Sequence, residues 1–238
     1  MDTASDRTAG GRIRVGLDLL PESMLRLLGA GAVALLVVHV TLQVLHYQVG
    51  EVHWLLKDAF DVDGEENVPT WFSAALLLFS ALLLFTIARV KRDDRAADAG
   101  YWKGLAIGFV WLSLDEVAGI HEILNTWADE LRGDSEFSWA YLGAAVFGIA
   151  GLAFVRFLSR LPSRTRNGVY GAGVMYGSGV IGIEIASNLY LKSQDIDTLG
   201  YNLLTALEEG LEMAGVIFFI YVLMTYMRTI QVLRAPSP

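Results

Sequence analysis

Acidic and histidine side chains recur within stretches of the sequence that are otherwise apolar. Clustered carboxylates and imidazoles bind metal ions or carry protons between them. The side chains that we expect to do such chemistry are Asp115, His121, Glu122, Glu184, Glu208, Glu212 and His39. The second-rank candidates are Glu116, Glu209, His46, Asn188 and Gln43. Each of them lies off the main helix faces, lies near the membrane interface or carries only an amide.

Helical periodicity places these side chains on shared faces. At 100° per residue, Asp115 and Glu122 would lie within about 20° of each other on a continuous helix. Glu208 and Glu212 are one turn apart on the same face of another helix. The same spacing pairs Glu184 with Asn188 and aligns His39, Gln43 and His46. Four helices would thus contribute polar groups to one site.

Six apolar segments are long enough to cross a membrane as helices. They cover residues 24–47, 71–90, 102–127, 139–161, 168–191 and 201–227. About 20 residues, at ~1.5 Å per residue, cross the ~30 Å of a bilayer's hydrocarbon. Pro21, Pro69 and Pro162 fall at the proposed helix ends, where proline is tolerated. We therefore predict an all-α, polytopic bundle of six transmembrane helices at residues 21–230, with tails at 1–20 and 231–238.

The segments between these helices alternate in charge along the chain. Arginine and lysine concentrate in residues 7–26, 89–95, 156–166 and 228–234, which six spans would place on one side. Acidic residues concentrate in residues 51–66, 129–136 and 195–197, which would lie on the other side. Because basic loops stay cytoplasmic, this pattern predicts a multi-pass protein of the cell membrane with both termini inside.

In this topology the candidate acids meet in the outer half of the bundle without a basic partner. Seven acids lie there, and the sequence places no lysine or arginine at their depth. A charged acid near the bilayer centre costs roughly 2.5–3.5 kcal/mol. The cluster must therefore hold protons, bind cations or open onto water.

A metal site with one or two ions is the function that these residues favour. Helical bundles that bind paired iron or manganese use about four carboxylates and two histidines that project inward. Carboxylates with imidazole suit iron, manganese or zinc, and such a site favours oxidoreductase or hydroxylase-like chemistry near a lipid or quinone-like substrate. The Glu-x-x-His pairs of those soluble bundles are absent here, so the analogy is chemical.

Two other functions use the same cluster. A proton- or cation-coupled transporter or channel would need a polar path through the inner half, which the sequence makes almost purely apolar. A structural or sensory subunit would need only the outer cluster. The sequence leaves catalysis and homo-oligomer formation open. It contains no cysteine, and its net charge of -8 argues against nucleic-acid binding.

Overall fold

The structure is a computed structural model, and its described part, residues 20–120, 123 and 139–232, is helical without strands. The helices are α1 (Pro21–Gln48), α2 (Trp54–Ala59), α3 (Val68–Asp93), α4 (Ala99–Ala118), α5 (Trp139–Leu158), α6 (Ser163–Gly177), a π-helical segment (Ser178–Ile183), α7 (Glu184–Leu191) and α8 (Leu199–Val232). The predicted all-α class is confirmed for these residues. Most of both predicted tails lies outside them.

The three prolines that were expected at helix ends lie at the starts of helices. Pro21 is the first residue of α1, Pro69 lies in the first turn of α3, and Pro162 precedes α6 as its N-cap. Proline suits these positions because the first backbone N–H groups of a helix have no intrahelical acceptor. The α6, π-helical and α7 segments together form one continuous helix, Ser163–Leu191.

A side-chain cap fixes the start of α3. The Asn67 Oδ1 atom accepts a hydrogen bond from the Thr70 N–H at 3.1 Å. Its Nδ2 atom donates to the carbonyl oxygens of Asp61 at 2.6 Å and of Gly64 at 2.9 Å. The cap thereby holds residues 60–67 against the first turn of α3. We call these residues the outer loop because the predicted topology places them outside.

Replacing Asn67 by alanine is expected to lower the free energy of unfolding by about 1–2 kcal/mol, since a cap and two loop hydrogen bonds disappear. Denaturant titration of the detergent-solubilised protein measures this loss. Replacement of the exposed Asn167 by alanine is the matched control and should change the free energy by less than about 0.5 kcal/mol. Equal stability of the two variants would contradict the capping role.

The long helix α8 is central to the bundle and packs against α1, α3, α6, the π-helical segment and α7. At the end where α4 and α6 begin, buried apolar side chains fill the space between the helices. Trp102 is 1% exposed and stacks on Tyr226, with their ring centroids 5.2 Å apart. Leu84 and Leu223 are fully buried in the same cluster. This end of the bundle is therefore closed by tight apolar packing.

Long apolar helices and outward-facing apolar side chains indicate a membrane protein. Within the described residues, four helices are long and apolar enough to cross a membrane: Pro21–Gln48, Val68–Asp93, Ser163–Leu191 and Leu199–Ile230. Leu27 on α1 is 68% exposed and Leu152 on α5 is 76% exposed, as side chains in contact with lipid would be. The helices α4 and α5 are not among the four, so the six spans and their orientation stay predictions.

Helix α4 ends earlier than the sequence pattern predicts. A continuous helix over residues 102–127 was expected, but α4 stops at Ala118 and Gly119 adopts the left-handed conformation with φ 54°. Glycine tolerates this conformation because it has no Cβ atom. The Glu65 carboxylate of the outer loop contacts Gly119 where a Cβ atom would be. The prediction of an unbroken helix over residues 102–127 is therefore wrong, and Glu122, which was expected to share a face with Asp115 on it, lies outside the described residues.

Candidate functional site

Two glycines let the α6–π helix approach α8 where the acids of α8 lie. A Cβ atom on Gly179 would lie 2.8 Å from the Glu208 carbonyl oxygen and 2.8 Å from the Glu212 Cγ atom. A Cβ atom on Gly215 would lie 2.7 Å from the Tyr176 backbone nitrogen. These distances are too short for any larger residue, so the two backbones meet directly beside the acids.

Acids from α4 and α8 come together around Tyr176. The Tyr176 hydroxyl hydrogen-bonds the Glu212 carboxyl, and it lies close enough to Glu116 and Glu209 to interact electrostatically with both. Glu209 also interacts with Glu116 and Glu208. We refer to Asp115, Glu116, Glu208, Glu209 and Glu212 as the acidic cluster. Among the described residues, no lysine or arginine interacts with Glu209 or Glu212.

Glu116 and Glu209 hold a more central place than the sequence analysis gave them. They ranked second because each lies beside the main stripe on its helix. In the structure, Glu116 of α4 interacts with both Glu209 and Glu212 of α8. The ranking by helix face compared positions within single helices and could not tell which sides of α4 and α8 meet; which of these acids bind a metal stays a prediction.

The outer loop adds carboxylates that the sequence analysis treated only as part of an acidic loop. The Asp63 carboxylate interacts with Glu209 and accepts a hydrogen bond from the Tyr201 hydroxyl at 3.5 Å. Glu65 contacts Gly119 at the end of α4. Composition alone carries no signal for which loop acids fold toward the bundle, so these two could not have been selected.

His39 fixes the outer loop to the bundle. Its side chain is 1% exposed, and its Nδ1 atom accepts a hydrogen bond from the Val62 N–H at 3.2 Å. Its Nε2 atom lies 3.4 Å from the Asn202 carbonyl oxygen, and Asp61 Oδ1 lies 3.5 Å from Nδ1. Both ring nitrogens of His39 thus have partners that tie the outer loop to the bundle, and its role as a metal ligand stays a prediction.

The remaining candidates lie apart or outside the described residues. Gln43 is buried, and within the described part of the chain neither its Oε1 atom nor the buried Nδ1 atom of His46 has a hydrogen-bond partner. Asn188 is exposed on α7. His121 and Glu122 lie outside the described residues, as does the side chain of Glu184.

A metal centre is not formed by the described residues alone. Within residues 20–120, 123 and 139–232, no three histidine, aspartate or glutamate side chains converge in a way that could hold a metal ion. The predicted metal site therefore stays a prediction, and the side chains of three of its predicted ligands, His121, Glu122 and Glu184, lie outside the described residues.

Long apolar helices around a cluster of half-buried carboxylates indicate a helical membrane protein with an acidic site between its helices. Residues 27–226 match the family described as "Domain of unknown function (DUF8692)", and the chain belongs to that family. The matched region runs from α1 through most of α8 and includes every member of the acidic cluster. No curated protein and no solved structure matches the chain.

Proposed function

We propose that the chain is a six-span protein of the cell membrane, with both termini in the cytoplasm, that binds a divalent metal ion at the acidic cluster. The observation that carries the proposal is the position of Glu116 beside Glu209 and Glu212. Like charges this close, in an apolar bundle, need a cation or shared protons to neutralise them. A divalent cation neutralises more negative charge at one site than a single shared proton does.

His121 and Glu122 would complete the ligand set. They come two and three residues after Gly119 in the sequence, and Gly119 ends the helix that carries Glu116. An imidazole and several carboxylates suit iron, manganese or zinc. Iron or manganese held in this way would supply redox chemistry, so oxidoreductase or hydroxylase-like activity is the reaction class that we propose.

The transport alternative has less support from the packing. A coupled carrier needs polar groups on both sides of its binding site. On the side away from the outer loop, the described residues are packed as an apolar cluster that includes Trp102, Leu84 and Leu223. The acidic cluster is therefore better suited to a site that opens to one side.

Elemental analysis of the detergent-purified protein tests the proposal. We expect iron, manganese or zinc at near-stoichiometric amounts in the wild type and a loss of about tenfold or more in Glu209→Gln and Glu122→Gln, since each variant removes a charged ligand. Glu51→Gln, which removes an exposed acid from the segment before α2, should retain the metal.

Thermal unfolding of each variant separates loss of metal from loss of fold. The proposal fails if folded wild type purified with these metals present contains none of them, or if Glu209→Gln and Glu122→Gln bind as much as the wild type. Metal-free protein that carries protons or cations across reconstituted vesicles, with flux abolished in Glu209→Gln, would establish the transport alternative instead.

A further inference from the structure

Four arginines, which we call the arginine patch, lie around the turn that joins α5 to α6. They are Arg156 in the last turn of α5, Arg160 in the connecting turn, and Arg164 and Arg166 in the first turn of α6. The side chains of Arg156, Arg160 and Arg164 are exposed, and none of them forms an ion pair with another described residue. The sequence has no aspartate or glutamate between positions 136 and 184. The patch therefore carries positive charge without a nearby carboxylate along its own segment.

The connection between α3 and α4 differs in this respect. It also carries four basic residues, but three aspartates lie among them, at positions 93, 94 and 98. The Lys91 Nζ atom lies 3.4 Å from the Asp98 Oδ2 atom and 5.5 Å from the centre of the Tyr226 ring. Most of the positive charge of this connection is thus balanced by the chain itself, whereas that of the arginine patch is not.

The turn that carries the arginine patch is fixed by packing. Phe157 and Leu161, each adjacent in sequence to an arginine of the patch, are buried in the apolar cluster around Trp102. The Arg166 Nη1 atom donates a hydrogen bond across the turn to the Ser159 carbonyl oxygen at 3.4 Å. A ligand of the patch would therefore not have to order the backbone, which lowers the entropic cost of binding.

Exposed apolar side chains continue from the arginine patch along both helices. On α5, Ile149, Leu152 and Arg156 are separated by three and four residues, which places them on one helix face, and all three are exposed. On α6, the exposed Tyr170 and Val174 lie about one and two turns after the last arginine of the patch. Each helix thus has a positive end above an exposed apolar face.

We propose that the arginine patch binds the phosphate head group of an anionic phospholipid, whose acyl chains lie along the exposed apolar faces of α5 and α6. Guanidinium groups bind phosphate oxygens through paired, charge-assisted hydrogen bonds. Basic side chains at the membrane surface attract anionic lipids through the same charge. The inference uses the membrane location that the apolar helices indicate, and it does not depend on a metal ion at the acidic cluster.

The apolar faces favour a lipid over a soluble anion. In a membrane, acyl chains cover these faces, so the head groups of the same lipids already lie next to the arginines. A bound chain keeps its own head group at a high effective concentration, which a free phosphate in solution lacks. Charge complementarity then selects the anionic lipids among those in contact with α5 and α6.

Native mass spectrometry of the full-length, detergent-purified protein tests the inference with two lipids that have the same acyl chains, dioleoyl phosphatidylglycerol and dioleoyl phosphatidylcholine. At low salt, we expect phosphatidylglycerol to bind at least about tenfold more tightly. The double variant Arg160→Gln/Arg164→Gln should weaken its binding about tenfold or more, since each arginine near an anionic lipid contributes about fivefold. Binding of phosphatidylcholine should stay the same.

Three controls separate a specific site from general attraction. Arg89→Gln/Arg92→Gln removes two exposed charges from the connection between α3 and α4 and should change phosphatidylglycerol binding by less than about twofold, because aspartates balance that segment. Arg160→Lys/Arg164→Lys keeps both charges and should retain the affinity within about threefold. Higher ammonium acetate concentrations should reduce the preference for phosphatidylglycerol, since salt screens the attraction.

Several results would overturn the inference: equal binding of the two lipids, unchanged affinity in Arg160→Gln/Arg164→Gln, or an equal loss in Arg89→Gln/Arg92→Gln. Glycerophosphoglycerol, the same head group without acyl chains, and inorganic phosphate distinguish a lipid from a soluble anion. Neither should displace the lipid at an equal concentration, and displacement by either would identify a site for soluble anions instead.

Metal content measured in the same samples keeps this inference distinct from the proposed function. Arg164 and Tyr176 are about three turns apart along the α6 helix, so the arginine variants should contain as much metal as the wild type. Folded wild type that prefers phosphatidylglycerol but contains no metal supports the lipid site and overturns only the metal site. Metal-loaded protein that binds the two lipids equally overturns only the lipid site.

Discussion

Replacing Gly179 by alanine is expected to lower the free energy of unfolding by about 1–3 kcal/mol, the usual cost of adding a methyl group to a filled interior. The new Cβ atom would lie 2.8 Å from the Glu208 carbonyl oxygen. That oxygen belongs to the backbone of α8 and cannot move without the helix. The π-helical segment would have to move away from α8, and the distance between Tyr176 and Glu212 would increase.

Gly177→Ala is the matched control, two residues earlier on the same helix. A Cβ atom at position 177 would meet no described atom within 4 Å. Alanine has the higher helix propensity, so this variant should be stabilised by about 0.5–1 kcal/mol. Denaturant titrations followed by tryptophan fluorescence should thus shift in opposite directions for the two variants. Shifts in the same direction would show that Gly179 does not contact α8.

Replacing His39 by alanine is expected to lower the free energy of unfolding by about 2–4 kcal/mol, because it removes a buried side chain and its hydrogen bonds. The Val62 N–H loses its acceptor, so the outer loop should detach from α1 and α8. Hydrogen exchange measures this directly: amides of the outer loop, Val62 above all, should exchange at least about tenfold faster than in the wild type.

Two further variants sharpen this result. Thr41→Ala changes an exposed residue of the same helix, whose hydroxyl bonds only to the Val37 carbonyl oxygen among described partners, and should leave the loop protected. His39→Gln keeps an acceptor and a donor and should restore part of the protection. If outer-loop exchange is the same in wild type and His39→Ala, His39 does not hold the loop.

Local patterns were sufficient to predict the long helices and their approximate starts, but the short helix α2 was not predicted. Apolar runs and the prolines at positions 21, 69 and 162 act within a few residues, so the sequence states them directly. The end of α4 at Gly119 was missed because a single glycine inside an apolar run is also compatible with a continuing helix. The Glu65 carboxylate, which lies where a Cβ atom of Gly119 would be, is distant in sequence.

The sequence was sufficient to predict which acidic residues form the candidate site, but less so how these residues are arranged in space. Carboxylates inside apolar segments identified the acids of α4 and α8 without any structure. The central place of Glu116 and Glu209 depends on how two helices face each other, and the role of His39 depends on a contact with Val62. Such tertiary contacts leave no periodic signal in one sequence.

The length of α8 has a consequence for the depth of the carboxylates. Its 34 residues extend about 51 Å at ~1.5 Å per residue, well beyond the ~30 Å of bilayer hydrocarbon. Asn202 and Thr205, near the first turns of α8, are buried by other parts of the protein. The part of α8 that exceeds the hydrocarbon thickness is therefore shielded from lipid on that side. Hydrophobic mismatch is relieved by tilting or by local thinning. In the proposed membrane topology, the thickness of the surrounding bilayer therefore helps to set how far below the water boundary Glu208 and Glu212 lie.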